Sequence, residues 1–272
     1  LSLKQQAVRL LQLSLGDVGP FKDRPPVLDG YAPQYSLSSI ERSLDPYRVR
    51  AAKLYPSGDA DLDHELLRVL AILQPYNIEL LDRILEGITE ESHPTDDIHR
   101  LITAARIPVD RSFTQTEKIA KTLVRIDHKI ADRGLNQDSN WDDRMKELFA
   151  ELLKHDPILA DVIVDQKDFG LPPHVMYLGK ITDPDSLPEA VEGFAKQIAK
   201  HSSYLWTNDV IFVLGESEKL EHRELVRQQF ENYSVRSAVL SVIGSDPNPA
   251  DRDWFVEGLG APLVEGVMSS AQ

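Results

Sequence analysis

Apolar residues recur along the chain at the spacing of helices that bury one side. In residues 62–73 they occupy positions i, i+4, i+7, i+8 and i+11, while Asp63 and Glu65 face the other way. A second stripe of this kind covers residues 78–88, after a short break at Pro75. Because helices joined by so short a connection pack antiparallel, the two stripes predict a helix pair.

Two later segments are marked at their ends as well as along their length. Residues 114–117, Thr-Gln-Thr-Glu, have the sequence of a capping box, which satisfies free backbone N–H groups at a helix start. A one-sided apolar stripe follows, and Gly134 predicts where that helix ends. Residues 141–152 carry another stripe, beginning at Trp141. Both segments are therefore predicted to be helices that bury one face.

The predicted helices point to one architecture. Comparable helices begin at intervals of 32 to 46 residues, which overlap the periods of about 34 to 47 residues found in helical repeats. The predicted fold class is therefore all-α, with stacked antiparallel helix pairs forming a HEAT-like α-solenoid as a single domain over residues 1–272. No residue-level consensus repeats, so this prediction depends on the hydrophobic spacing alone.

Several stretches depart from this helical pattern. Residues 16–35 are rich in Pro and Gly, which break helices, and they predict an extended strap over the first helices. Residues 165–185 have a similar composition and predict a boundary between two lobes. Residues 210–214 and 235–243 are rich in β-branched side chains, which leaves an α/β arrangement as the alternative for the C-terminal part.

The charge of the chain narrows the range of partners. Acidic residues outnumber basic ones 44 to 30, giving a formal net charge of -14. This charge repels phosphate backbones and anionic lipids, and no apolar run is long enough to cross a bilayer. We therefore predict a soluble protein that binds no nucleic acid and has no transmembrane segment. Acidic groups such as Asp142 and Asp143 predict ridges that attract a protein or peptide with a basic surface.

Other absences in the sequence limit its chemistry. The chain has no cysteine, which excludes disulfides, thiolate metal sites and cysteine nucleophiles. It also lacks the glycine motifs of phosphate-binding loops and the nucleophile elbow of serine hydrolases, so no cofactor is predicted. Leu1 begins the chain, and residues 3–15 lack the features of a signal peptide. We expect a chain that was processed or cut from a larger protein, and its compartment stays open.

One segment carries a family resemblance. Residues 92–99, Ser-His-Pro-Thr-Asp-Asp-Ile-His, together with residues 101–106 and Trp141, resemble a helical region of large exported bacterial proteins that also carry dehydrogenase-like and c-type cytochrome domains. In such proteins this region is similar to HEAT-type repeats. The resemblance covers residues 59–181 and implies a helical repeat exported to the periplasm or the cell exterior. The haem-binding Cys-x-x-Cys-His and a dehydrogenase fingerprint are missing here, so redox chemistry is not implied.

A metal site is the main chemical alternative. Its candidate ligands are His93, Asp97, His99, His128 and His155. Imidazole and carboxylate groups three or four residues apart on a helix can share a metal ion, which would permit a metal-dependent hydrolase. The competing interpretation is that this region is a helix start capped by Thr95 and Asp96. We therefore predict no catalytic, metal-binding or cofactor-binding residue, and keep the metal site as the alternative.

Stacked helix pairs form extended grooves, and the chain contains no complete catalytic motif. The predicted function is therefore a non-enzymatic helical-repeat scaffold or protein-binding module. A metal-dependent hydrolase that uses the histidines named above is the alternative.

Overall fold

A computed structural model describes residues 2–16 and 24–260 of the chain. These residues form two compact units that divide between Ile163 and Val164, here termed the N-terminal unit and the C-terminal unit. The regular secondary structure of these residues consists of helices, with no strand among them, which confirms the predicted all-α class. No helix within them is both long and apolar enough to cross a membrane.

The N-terminal unit contains α1 (Leu3–Leu15), α2 (Glu41–Leu54), α3 (Ala60–Leu73), α4 (Ile78–Glu86), α5 (Pro94–Arg106), α6 (Phe113–Asp132) and α7 (Trp141–Leu153), and α8 (Leu159–Val164) ends at the division between the units. The C-terminal unit contains α9 (Val175–Leu178), α10 (Ser186–Lys200), α11 (Asn208–Gly215), α12 (Leu220–Arg227), α13 (Arg236–Ser245) and α14 (Arg252–Gly258). Short 3-10 turns occupy Pro26–Leu28, Ser38–Ile40, Pro172–His174 and Pro249–Asp251.

Alternate helices of the N-terminal unit pack side by side. Helix α1 contacts α3, α3 contacts α5, and α5 contacts α7, so these four helices form a continuous series. The apolar stripe predicted for α3 is buried, and Leu70 and Leu73 are completely inaccessible. Helix α4 packs mainly on α5 and α6, so its main partner is not α3, the helix that precedes it. Gln74 ends α3 in a left-handed conformation (φ 49°) and Asn77 caps α4, which changes the chain direction between them.

The start of α6 differs from the prediction. The capping box is formed by Ser112 and Gln115, two residues before the predicted one, and the helix begins at Phe113. Both positions have side chains that suit a capping box. We attribute the earlier helix start to the Gln115 amide, which also donates to Asp82 on α4, at 2.6 Å. The predicted end is correct, since Gly134 has a positive φ of 60° and Leu135 N–H donates to the Ile130 carbonyl.

The two β-branched segments that suggested strands are helices. They form most of α11 and α13, so the α/β alternative is wrong for this region. Helix α11 contacts α9, α10, α12 and α13, and it buries Val210, Ile211 and Leu214. A helix that is surrounded in this way can be apolar on most of its faces, which explains why its sequence resembled a buried strand.

Candidate functional site

A segment of the chain itself lies across the helices of the N-terminal unit. The predicted strap covers residues 16–35, of which residues 17–23 lie outside the described residues. The described part, residues 24–35, includes a 3-10 turn that contacts α7. Its side chains Val27, Leu28 and Tyr31 are buried. The series of helices α3, α5 and α7 therefore holds a short stretch of polypeptide, which we call the strap.

One hydrogen bond attaches the strap to α7, and another closes the strap on itself. The backbone N–H of Val27 donates to Oε2 of Glu147 on α7, at 2.8 Å. Within the strap, the Arg24 guanidinium donates to the Ala32 carbonyl at 2.5 Å. These bonds satisfy polar groups that would otherwise be buried without a partner.

Two histidines on neighbouring helices contact the strap or each other. The Tyr31 hydroxyl hydrogen-bonds Nδ1 of His99 on α5. The His99 ring stacks on the His64 ring of α3, with 5.0 Å between their centroids. His64 Nε2 in turn lies 2.9 Å from Oδ1 of Asp96, and the Arg68 guanidinium sits 5.9 Å from the centre of the Tyr31 ring. These five residues are called the strap cluster.

Burial changes the pKa values of Tyr31 and His99. It raises the pKa of Tyr31 to about 12, so the hydroxyl keeps its proton at neutral pH. Burial also lowers the pKa of His99 to about 4, with further lowering by His64 and Arg68, so this imidazole is neutral. A neutral imidazole can accept the Tyr31 proton in a hydrogen bond. The cluster therefore suits the attachment of the strap near neutral pH.

The candidate ligand Asp97 has a structural partner. Its side chain is fully buried, and Oδ2 lies 2.5 Å from Nζ of Lys129 on α6. Ser92 Oγ donates to the other carboxylate oxygen at 2.6 Å. Lys129 also donates to the Thr89 carbonyl, at 2.5 Å. This buried ion pair joins α5 to α6, and the bonds to Ser92 and Thr89 join the segment before α5 to the same lysine.

The other candidate ligands lie in separate surroundings. His93 is the N-cap of α5, where its Nδ1 accepts from Thr95 N–H at 3.3 Å. The predicted caps, Thr95 and Asp96, therefore lie two and three residues too late. Pro94 occupies the first turn, which places the cap before it. His155 lies after α7, and burial with nearby Arg111 lowers its pKa. In the part of the chain that the structure describes, no three His, Asp or Glu side chains are grouped to hold a metal ion.

His128 belongs to α6, and its Nε2 is buried without a hydrogen-bond partner among the described residues. No metal-holding group among the described residues unites it with His99 or Asp97. Of the five candidate residues, the structure places His99 in the strap cluster and Asp97 in the buried ion pair.

Sequence reasoning missed Tyr31 and Lys129. Tyr31 follows Gly30 in a proline-rich segment. Because that segment has no helical periodicity, its sequence does not indicate which side chains are buried. The signal for Lys129 was present, because cationic residues recur on one face of α6 at Lys118, Lys121, Arg125 and Lys129. These four line a cleft of about 460 Å³, and Glu90 pairs with both Lys121 and Arg125.

Comparison with known proteins found no matching protein family, no similar curated protein and no similar solved structure.

Proposed function

We propose that the chain is a non-enzymatic, HEAT-like helical-repeat module that binds a protein or peptide partner. The observation that supports this most is the strap. The helices α3, α5 and α7 hold a stretch of polypeptide through buried apolar side chains and through a bond from the Val27 N–H group to Glu147. A peptide from a partner is recognised by the same combination of apolar anchors and backbone hydrogen bonds.

The proposed partner has a basic surface. Asp59, Asp61, Glu91, Asp142 and Asp143 are exposed, and they belong to a chain with a net charge of -14. Exposed carboxylates of this kind raise the association rate of a cationic partner, and salt screens the effect over a Debye length of about 8 Å at physiological ionic strength.

Selection from a displayed library of random peptides on the immobilised protein tests this proposal without requiring a known partner. We expect the selected peptides to be enriched in Lys and Arg relative to the starting library. Their association rates should fall as salt is raised, because steering is screened. Selection on heat-denatured protein provides the background. Peptides rich in Asp and Glu, or no enrichment over the background, would contradict the proposal.

A pair of variants adds a structural control. Replacing Asp142 and Asp143 with Asn should slow the association of the selected peptides. The matched variant replaces Asn136 and Ser139 with Ala, which are exposed neutral residues in the preceding loop, and should leave the rate unchanged. Equal rates for both variants would show that the acidic residues at the start of α7 do not attract the partner.

A further inference from the structure

The N-terminal unit contains an open cleft of about 460 Å³ between α6 and the segment that follows α4. The segment contributes Thr89 and Glu90 to one wall. The other wall is a face of α6 that carries four cations spaced three or four residues apart, Lys118, Lys121, Arg125 and Lys129. We call this the α6 cleft. Its volume lies within the range of about 300 to 1,000 Å³ that is usual for small-ligand sites.

Two of the four cations join the walls of the α6 cleft. Nζ of Lys118 donates to the Ile88 carbonyl at 2.6 Å. Nζ of Lys129 donates to the Thr89 carbonyl at 2.5 Å, and the buried Asp97 carboxylate neutralises its charge. These bonds fix the shape of the cleft before a ligand binds, which lowers the entropic cost of binding.

The other two cations hold the carboxylate of Glu90 between them. Oε1 of Glu90 lies 3.1 Å from Nζ of Lys121, and Oε2 accepts from Nη1 of Arg125. Charge-assisted bonds of this kind from lysine and arginine also bind the oxygens of external anions. The Glu90 side chain is 52% exposed and belongs to the connection between α4 and α5. Because exposed side chains change rotamer rapidly, an external anion can take its place.

The charge of the α6 cleft favours a divalent anion. Lys129 is already paired with Asp97, which leaves three cations on the α6 wall. If Glu90 is displaced, Glu86 is the remaining carboxylate among the described residues of the lining. Three positive charges then face one negative charge. An anion with two charges neutralises the excess, whereas a single carboxylate leaves part of it unbalanced.

This group of cations is costly for the folded chain to assemble. Burial lowers the pKa of Lys118, and the positive charges of Lys121 and Lys129 lower it further, against the opposing effect of Asp97. A bound anion relieves such repulsion between like charges. The formal net charge of -14 opposes the approach of an anion, but salt screens distant charges over about 8 Å at physiological ionic strength. Contacts within the cleft are shorter than this distance.

We propose that the α6 cleft binds the phosphate group of a phosphate monoester, whose oxygens contact Lys121 and Arg125 in place of the Glu90 carboxylate. A phosphate monoester carries about 1.5 to 2 negative charges at neutral pH and has three acceptor oxygens. It therefore matches both the charge of the cleft and the donors that hold Glu90. This site goes beyond the proposed function, because it does not require the basic partner.

Titration of the isotope-labelled protein with inorganic phosphate, followed by NMR, tests the site directly. At neutral pH and constant ionic strength, we expect phosphate to shift the Nε–H resonance of Arg125 and the backbone amide resonance of Glu90. Acetate, which resembles the Glu90 side chain and carries one charge, should bind about fivefold more weakly or less. Binding of acetate as tight as that of phosphate, or no shift at Arg125 with phosphate, would overturn the proposal.

Variants separate the local contacts from the overall charge. Arg125→Gln should weaken phosphate binding about fivefold or more, because it removes a charge-assisted hydrogen bond. Glu90→Gln should strengthen phosphate binding about threefold or more, since the competing carboxylate is gone. Glu91→Gln removes an equal charge from the next residue, which is also exposed, and should change the affinity much less. Unchanged amide spectra away from the cleft verify that the variants are folded. Equal strengthening by Glu90→Gln and Glu91→Gln would mean that only the net charge matters, and would contradict the proposal.

Two phosphate monoesters test the ester and identify its source. Glycerol phosphate represents a small metabolite, and a short capped peptide with one phosphoserine represents a phosphorylated protein. We expect at least one of them to compete with inorganic phosphate, and the tighter of the two identifies the source. The same peptide without its phosphate should not bind. Binding of inorganic phosphate alone, or equal binding of the two forms of the peptide, would overturn the assignment to a phosphate monoester.

Discussion

The strap of the N-terminal unit and residues 165–174 of the C-terminal unit have similar Pro- and Gly-rich compositions but are attached to helices in different ways. The strap is attached through side chains that can carry charge. Its Tyr31 hydroxyl bonds His99, and its Val27 N–H bonds the Glu147 carboxylate. Because the pKa of His99 is lowered to about 4, we expect attachment of the strap to depend on pH below neutrality.

Residues 165–174 contact their surroundings through the backbone of Gly170. The N–H groups of Gly170 and Leu171 donate to Nδ1 of His174, at 3.0 and 3.2 Å, and the Gly170 carbonyl accepts from Tyr204. The close approach of Gly170 to Gly193 leaves no room for a side chain. This close approach depends on shape, so we expect it to fail when one carbon atom is added.

The largest expected effect concerns the reliance of the N-terminal unit on charged side chains. Lys129→Met should lower the free energy of unfolding by about 3 to 5 kcal/mol, because it leaves the buried Asp97 carboxylate without its cation. The matched variant Lys146→Met removes a lysine that is 58% exposed and 4.0 Å from Asp143, and should cost less than about 0.5 kcal/mol. Denaturant unfolding measures both, and similar costs would mean that the buried pair is not important for stability.

The next effect tests the role of shape in the C-terminal unit. Gly170→Ala should cost about 2 to 4 kcal/mol, since the new methyl group would overlap the Gly193 carbonyl and the backbone φ is positive. Gly58→Ala is the control, because Gly58 also has a positive φ, of 82°, but no described atom within 4 Å of the added carbon. It should cost only about 1 to 2 kcal/mol. Thermal unfolding compares the two, and equal costs would remove the argument from close packing.

The pH dependence follows from the lowered pKa of His99. The unfolded imidazole, with a pKa of 6.5, binds a proton more readily than the folded one, with a pKa of about 4. Stability from this residue is therefore complete above about pH 6.5 and is lost as the pH falls toward 4. His99→Gln keeps an acceptor for Tyr31 and does not titrate, so its unfolding free energy should depend less on pH over this range. Hydrogen exchange of the Val27 N–H, measured at several pH values, reports whether the strap itself is released.

The sequence was sufficient to predict most helices but not their partners. Apolar spacing located α3, α6 and α7, because a helix that buries one face leaves a periodic pattern. It misjudged α11, a short helix that contacts four other helices and has a mostly apolar sequence. The start of α6 also depended on a tertiary contact, the bond from Gln115 to Asp82. Local sequence does not contain such contacts, so it could not choose between two acceptable caps.

The strap cluster shows the same limit at a site. His99 was a candidate because of its residue type, but its neighbours Tyr31 and His64 are 68 and 35 positions away in sequence. Only the side-by-side packing of α3 and α5 brings His64 and His99 into a stack.

The smallest expected effect compares the two tyrosines directly. Tyr31 and Tyr204 each donate a hydroxyl hydrogen bond to their own unit, to His99 and to the Gly170 carbonyl respectively. Tyr31→Phe and Tyr204→Phe should each lower the unfolding free energy by about 0.5 to 1.5 kcal/mol, the usual contribution of one hydrogen bond. Only Tyr31→Phe should change how stability varies between pH 4 and 6.5, because it alters the surroundings of His99, whereas the Gly170 carbonyl does not titrate. Denaturant unfolding of both variants across this range would decide the matter. Parallel pH profiles for the two variants would show that the strap is held by shape, like residues 165–174, and would remove the distinction between the two attachments.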